Sequence, residues 1–504
     1  MPNKTKQNPT VSLTRPPVVA IMGHIDHGKS TLLDYIRKSH IVDRESGGIT
    51  QHLGAYEVTC LDEKKVPRTI TFLDTPGHAA FSGIRTRSAQ VADIAILIVS
   101  GEEGVKPQTT EALKQIKEAK VPFIVAITKI DSPKCDVERT KQSLAENEIY
   151  IEGYGGDVSC APLSAKTGKG VPELLEIILL TADVAELTAN PSAPAQGVII
   201  EAHRDPRRGI AATVLIKDGT LKGGTWAVSG ESIAPVRFIE NDLGKQIPSA
   251  TFSAPVRVIG WSVIPEVGAT VLAYSNRKEA EAAVTTKVQK RFDNTSQQKP
   301  AEEKLAIPVI IKADAGGSVE AIVNEFAKLT HDRAGFSIIE SSVGAITEND
   351  IRLASTHPGS IVFGFHVDIG KPQVEMAERN EIPVLRFDII YKLTEEAEKI
   401  LKERAPKLSV EETSGKAKIQ KIFSINKDKQ IVGGKVETGT ITTGSTIRIL
   451  RRDAEVGRGK IRGLEQGKLK ATEVAAGREF GTLIEAKIEI APGDYIESFT
   501  TSEK

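Results

Sequence analysis

Hydrophobic and polar positions alternate along this chain in several distinct textures. From residue 18 to about 182, short continuous apolar runs at 18–22, 69–73, 94–99 and 123–127 are separated by segments with helical spacing, ending in a helix over 171–180. Runs of four to eight apolar residues without alternation suit strands buried on both faces, so this region predicts a doubly wound parallel sheet. Pro191 and Pro194, among small residues at 188–196, break the pattern as a linker would. Over 197–275 the strands become short and are punctuated by Gly, Asp and Pro, which predicts a small β-barrel. A polar helix and a second linker follow over 278–300. Alternation then returns at 305–390, with strands at 309–312, 336–341, 360–365 and 384–387 and helices between them, predicting a second, smaller α/β domain. Leu393, Ala397, Ile400 and Leu401 recur at helical spacing over 391–406, which reads as a semi-rigid connecting helix. The last stretch, 413–504, is strand-rich again. Its segment 437–445 lines up with 217–225, as two related barrels would, although convergent turn chemistry gives the same pattern. The expected fold class is therefore multidomain α/β and β: a P-loop nucleotide domain over 16–187, a barrel, a small α/β domain, a helix and a terminal barrel.

Composition narrows this picture only slightly. The 66 basic and 66 acidic residues cancel, so any contact with nucleic acid must come from a local patch. Cys60, Cys135 and Cys160 lie far apart, which argues against a disulfide framework or a thiolate metal site. Neither a signal-peptide core nor an apolar run approaching about 18 residues occurs, so no membrane association and a cytoplasmic location are expected. Residues 1–15 read as a short disordered tail.

The chemistry begins where the first strand ends. Gly23, His24, Ile25, Asp26, His27, Gly28, Lys29 and Ser30 have the spacing G-x-x-x-x-G-K-[ST], followed by Thr31 and a helical pattern. The two glycines let the backbone wrap an anion, the N–H groups point inward, and the helix that starts near Lys29 adds its positive end. Lys29 would reach the outer phosphates and Ser30 would ligate Mg2+. The strand at 69–73 runs into Asp74, Thr75, Pro76, Gly77 and His78. Asp74 is placed to hold Mg2+ through water, and Gly77 can bring its N–H to a γ-phosphate. His78, next to that glycine, is the candidate catalytic residue that orients the attacking water. Between them, Gly47 and Gly48 lead to Thr50, a hydroxyl suited to a Mg2+-dependent switch segment. The strand at 123–127 leads into Thr128, Lys129, Ile130 and Asp131, and Ser164, Ala165 and Lys166 follow later. A carboxylate at Asp131 accepts from guanine N1–H and its exocyclic amine, a donor pair that adenine lacks. The cofactor expected is therefore GTP or GDP with Mg2+.

With these residues in place, the chain resembles the translational GTPases, and most closely the bacterial initiation factor 2 family. The resemblance rests on residues 23–30, 47–56 and 74–81, and on 311–321 and 343–348 in the middle α/β domain. It implies a ribosome-stimulated GTPase that places formylmethionyl initiator tRNA on the small subunit and promotes joining of the large one. The implied partners are both ribosomal subunits, initiator tRNA and other initiation factors, with the protein a monomer off the ribosome. The terminal barrel would bind the acylated tRNA end, for which Arg462, Lys468, Lys470, Arg478 and Phe480 are the candidates; a solvated basic hairpin would look the same. An elongation-type GTPase would carry two consecutive barrels after the nucleotide domain. A nucleotide-gated scaffold without turnover would share the same motifs. The sequence departs from the family in three places. Thr128 stands where Asn usually braces the phosphate loop, which predicts weakened nucleotide affinity. A long N-terminal extension has no counterpart here. Gly434 and Phe480 stand where the family often carries cysteines.

Overall fold

The computed structural model describes residues 12–38, 50, 53–62, 64–205, 207–285, 305–331, 333–406, 409–452, 454–467 and 469–503. These fall into two compact units, the first reaching Arg404 and the second beginning at Ala405.

The first unit opens with β1 (Leu13–Thr14), β2 (Val18–Gly23), α1 (Lys29–Arg37), β3 (Gly54–Leu61) and β4 (Pro67–Asp74). It continues with α2 (Ser82–Val91), β5 (Ile94–Ser100), α3 (Pro107–Ala119), β6 (Phe123–Thr128), α4 (Val137–Glu146), β7 (Cys160–Pro162), α5 (Val171–Val184) and β8 (Thr188–Ala189). Its sheet runs β3-β4-β2-β5-β6-β7, parallel throughout except at the β3 edge. Every residue of β2 and of β5 is buried. Such strands carry no polar alternation because helices cover both faces of the sheet. All the strands that bear candidate site residues therefore end on one edge, where open α/β sheets bind their ligands.

The stretch read as a tail is ordered from residue 12 onward. Leu13 and Thr14 pair with Ala189 and Thr188, and the Arg15 guanidinium makes two 2.6 Å bonds to Asp93. Asp93 also holds Lys217 at 3.2 Å, and Thr71 donates to the Ser253 carbonyl at 2.6 Å. This buried network fixes the nucleotide domain on the barrel that follows.

That barrel comprises β9 (Gln196–Asp205), β10 (Gly209–Asp218), β11 (Thr220–Lys222), β12 (Trp226–Ser229), β13 (Ser232–Pro235), β14 (Ile239–Glu240), β15 (Gln246–Ile247), β16 (Ser249–Thr251), β17 (Pro255–Ile259) and β18 (Thr270–Tyr274), closed by the short helix α6 (Arg277–Thr285). The α/β domain then contributes β19 (Leu305–Ala313), α7 (Gly316–Lys328), β20 (Ala334–Val343), α8 (Glu348–Ser355), β21 (Ile361–Phe365), α9 (Lys371–Arg379) and β22 (Val384–Phe387). Its sheet is parallel in the order β20-β19-β21-β22.

The helix that follows, α10 (Ile390–Arg404), is not a free-standing rod. Ile390, Leu393, Ala397 and Leu401 form a buried stripe packed on α7 and β20. A stripe at positions i, i+3, i+7 and i+11 is one helix face, and here that face is covered by the domain the helix leaves.

The second unit contains β23 (Ser409–Asn426), β24 (Lys429–Thr442), β25 (Thr446–Arg451), β26 (Ala454–Gln466), β27 (Leu469–Lys470), β28 (Glu473–Ala475), β29 (Glu479–Ala486) and β30 (Tyr495–Glu503). Six of them close on themselves in the order β23-β30-β25-β26-β29-β24, the last pairing back to the first. The echo between the barrels extends to backbone conformation. Gly219 and Gly439 have φ of 75° and 71°, and Gly224 and Gly444 both have 89°. Leu221 and Ile441, two residues beyond the first glycine of each set, are buried against Ala250 and Val474 respectively. Shared left-handed positions in register favour a repeat over coincidental turns.

Candidate functional site

The site lies at the carboxyl edge of the first sheet. Gly28, at φ 88°, caps α1, and Leu32, Leu33 and Ile36 bury the helix's inner face so that its N-terminus points into the loop. Asp26 is also left-handed at φ 61° and exposed, so the loop turns sharply on a non-glycine residue. Lys29 is 6% exposed, and its Nζ donates to the carbonyls of Gly23 at 3.0 Å and His24 at 2.5 Å. Burial pulls the ammonium down to about 8, against the opposing charge of Asp74. A β-carbon on Gly77 would sit 2.5 Å from Lys29 Nζ and 3.3 Å from the Ile25 nitrogen. The Asp74 to Gly77 loop is thus pressed against the phosphate loop, and a side chain at position 77 would displace the Lys29 ammonium. Thr75 strengthens the contact by donating to the Ile21 carbonyl at 2.5 Å.

Ser30 and Thr50, both expected to ligate Mg2+, are brought together with their hydroxyl oxygens 2.7 Å apart. Hydroxyls are hard-oxygen groups of the kind Mg2+ takes alongside phosphate oxygens and water, and Asp74 lies close enough for its charge to act on Lys29. Among the described residues no group of three or more His, Cys, Asp or Glu could hold a metal ion. The rest of the switch stretch, including Gly47 and Gly48, lies outside the described residues, as do Thr31's neighbours beyond α1 at 39–49.

Thr128 occupies the position where the family's bracing Asn is expected, and it bonds to the phosphate loop. Its side chain is 1% exposed, and its hydroxyl donates to the His27 carbonyl at 2.6 Å. The bracing bond of the loop is therefore present, made by a shorter group that ends there and leaves the base to other residues. His27 itself is fully buried, with Nδ1 accepting from the Ser100 N–H at 3.2 Å. Burial lowers it to about 4, so the ring is neutral and adds no charge under the phosphates. Burial also lowers His24, whose ring meets that of His27 edge-on at 4.9 Å. The Ile25 N–H donates to Gln108 Oε1 at 3.0 Å, a support from α3 that the sequence does not announce.

At the base-reading end, Asp131 is exposed, and a hydrogen bond from the Ser164 hydroxyl holds its carboxyl below the usual range. Ser164 is buried and accepts at Oγ from the Thr167 N–H at 3.1 Å, so it is fixed from both sides. The Ile130 N–H donates to the Leu163 carbonyl at 3.4 Å, tying the two segments together, with Ala165 half-buried and Lys166 exposed beside them. Lys129, at φ 60°, leans onto Glu102 at 3.2 Å. Ser132 donates to the other oxygen of the same carboxylate at 2.5 Å.

One residue that sequence reasoning missed organises the switch. Arg85 on α2 is 1% exposed, and its Nη1 donates to three successive carbonyls, Pro76 at 3.2 Å, Gly77 at 3.3 Å and His78 at 2.5 Å. Its Nη2 pairs with Glu111 at 2.6 Å. Nη1 carries two hydrogens, so the three carbonyls share them, while the rigid guanidinium plane aims Nη2 at Glu111 at the same time. His78 is half-buried, accepts at Nδ1 from the Ala80 N–H at 3.1 Å, and is lowered by burial.

In the terminal barrel the tRNA candidates separate. Phe480 is 4% exposed and belongs to the barrel core, where no RNA can reach its ring; it is a packing residue. Arg462 is exposed but paired with Glu485 at 2.6 Å, Lys470 and Arg478 are exposed, and Lys468 lies outside the described residues. A β-carbon on Gly434 would sit 2.3 Å from the Lys418 carbonyl oxygen, so no larger residue fits there without backbone movement. A second cationic face went unnoticed in the sequence. Lys416 and Lys418 lie over the Tyr495 ring at 5.0 and 5.6 Å, and Lys421 lies over Phe423 at 5.7 Å, with Phe423 62% exposed.

The chain is also similar to known families and proteins. Residues 15–183 match the family described as the elongation factor Tu GTP binding domain, 194–274 match elongation factor G domain 2, and 280–398 match translation-initiation factor 2. The translation initiation factor IF-2 of Halothermothrix orenii is 39% identical over 99% of this chain and 74% of its own length. That of Anoxybacillus flavithermus is 41% identical over 98% and 69%. Against that of Solibacter usitatus the identity is 42% over 97% of this chain, which spans about half, 49%, of the relative. Among solved structures, GDP-bound aIF5B from Aeropyrum pernix aligns with 96% of this chain and 92% of its own at 27% identity and a TM-score of 0.49. Near-complete alignment to these initiation factors leads to one assignment: the chain belongs to the translation initiation factor IF-2 family, whose nucleotide domain is that of a translational GTPase.

Proposed function

We propose that the protein hydrolyses GTP on the ribosome while it places formylmethionyl initiator tRNA on the small subunit and promotes joining of the large one. The observation that supports this most is the convergence of Lys29, Gly77 and the Ser30–Thr50 hydroxyl pair at one end of the site, with the Ser164-held Asp131 at the other. The first group suits a γ-phosphate and the second suits guanine. In the reaction a water oxygen bonds to the γ-phosphorus, the bridging P–O bond breaks, and GDP and phosphate leave. His78, kept neutral by burial and with Nδ1 taken by the Ala80 N–H, has its Nε2–H left to orient that water by donating to its oxygen. Lys29 and the Gly77 N–H stabilise charge developing on the γ-phosphate oxygens. Ser30, Thr50 and, through water, Asp74 would hold Mg2+, which would supply positive charge to offset that of the phosphates.

The cationic terminal barrel suits the tRNA acceptor end, with Lys470 and Arg478 at one region and Lys416, Lys418 and Lys421 at another offering cations to phosphates and two rings to bases. Other initiation factors are the further partners proposed, and the free protein is taken to act as a monomer in the cytoplasm. No helix among the described residues is long and apolar enough to cross a membrane. Binding of labelled formylmethionyl initiator tRNA to the full chain, and light scattering of subunit joining with GTP, test the reading. It predicts retention of the acylated tRNA above the uncharged form and faster joining than with GDP. Equal retention of both tRNAs and no effect on joining would reject it.

A further inference from the structure

His78 has a second neighbourhood, formed by the α/β domain rather than by the nucleotide loop. Its ring stacks on that of Tyr391, the second residue of α10, with centroids 6.4 Å apart and planes at 28°, and it meets Phe81 edge-on at 6.3 Å. Glu325 and Lys328 of α7, themselves paired at 2.6 Å, place their charges close enough to act on the imidazole from opposite signs. Nδ1 is already committed to the Ala80 N–H, and the His78 carbonyl is bonded by Arg85. The imidazole is therefore held by its backbone, by one ring nitrogen and by one face.

Tyr391 cannot follow His78 if the switch turns. The preceding residue, Ile390, is fully buried, and Leu393, Ala397 and Leu401 lock the same helix onto its own domain. The tyrosine position is thus set by the α/β domain, while the histidine position is set by the nucleotide domain. A second contact between the same two bodies, Arg87 to Glu320 at 2.6 Å, keeps them in register.

We propose that Tyr391 is a positioning residue that latches His78 in a non-hydrolysing orientation, and that movement of α10 away from the switch releases the imidazole for water. This rests on the GTPase reading, in which His78 is catalytic. Without the latch, the free protein would populate the reactive orientation more often. An offset aromatic pair of this kind shifts such an equilibrium by about three- to tenfold.

The test is GTP hydrolysis by the full chain without ribosomes, at saturating nucleotide, with GTP affinity measured separately. Tyr391→Ala is expected to raise ribosome-free kcat about three- to tenfold with KM unchanged. Tyr391→Phe keeps the ring and should match the parent, and Tyr391→Ala combined with His78→Ala should fall to the level of His78→Ala alone. Tyr391→Leu, which retains bulk on the helix, serves in the same way if Tyr391→Ala unfolds. A ribosome-free rate that does not rise in either variant, or a rise that persists without His78, overturns the latch. Ribosome-stimulated turnover by His78→Ala separates the two ideas: if it is lost while Tyr391→Ala changes nothing, the latch fails and the GTPase reading stands; if it is normal, the reading itself fails.

Discussion

Replacing Thr128 with valine removes one hydroxyl and keeps the side chain's shape. That hydroxyl donates to the His27 carbonyl at 2.6 Å from a position 1% exposed, so its loss leaves a buried acceptor without its donor. The desolvation cost of such a group is about 1–3 kcal/mol. Where that cost falls depends on how far the loop can relax. With no nucleotide bound, the His27–Gly28 peptide, which leads into a glycine, has the backbone freedom to turn its carbonyl toward another donor. With phosphates in place the loop N–H groups must point inward, the rotation is forbidden, and the cost is expressed as lost affinity. At about 1.4 kcal/mol per tenfold, the expected weakening is about five- to a hundredfold for both GDP and GTP. Thr128→Ser, which keeps the donor, should stay within about threefold of the parent by the same scale. Titration with a fluorescent guanine nucleotide reads the affinity, and thermal unfolding of the nucleotide-free protein checks that the fold is intact. A folded Thr128→Val protein binding within twofold of the parent would refute the brace.

Three other outcomes follow from the same geometry. Arg85→Met strips donors from three switch carbonyls and a partner from Glu111; because Glu111 is 34% exposed and can be solvated, the expected loss of stability is about 2–4 kcal/mol, read as a lower melting temperature together with lost ribosome-stimulated turnover. An unchanged melting temperature would count against it. Lys29 titrates near 8 when folded and near 10.5 when unfolded, so the folded chain binds fewer protons between those values and the nucleotide-free protein should gain stability as pH rises through that window. Phosphates favour the charged lysine, so GTP binding at pH 8.5 should take up protons, visible as a buffer-dependent heat in titration calorimetry; a heat independent of buffer would exclude the shifted lysine. Asp131→Asn should exchange guanine for xanthine preference in nucleotide competition, since an amide nitrogen donates where the carboxylate accepted, and retained guanine preference would remove Asp131 from base reading.

The parts of the fold that were legible in the sequence are those where one physical demand dominates. Strands β2 and β5 are buried on both faces and so are apolar throughout, and the phosphate loop needs glycine at positions that backbone geometry fixes. The helix over 390–404 was visible as a stripe, but a stripe names a buried face and not the surface that buries it. The Thr128 brace spans 101 residues of chain, and nothing local announces that a hydroxyl there will reach a carbonyl in the loop. Arg85 looks like any helical arginine until its three carbonyl partners are placed around it. Phe480 was misassigned for a different reason. Its place in a motif suggested a pocket, whereas the strand period did carry the answer: Phe480, Thr482, Ile484 and Ala486 alternate as the buried face of β29.

The central claim, that this is a guanine-nucleotide hydrolase working through His78, is tested most directly by multiple-turnover GTP hydrolysis with and without ribosomes. The parent protein should be strongly stimulated by ribosomes. His78→Ala should bind GTP with unchanged affinity and lose about a hundredfold or more of the stimulated rate, the scale of a side chain positioned on the reacting water. Equal stimulated turnover by the two proteins would contradict the account.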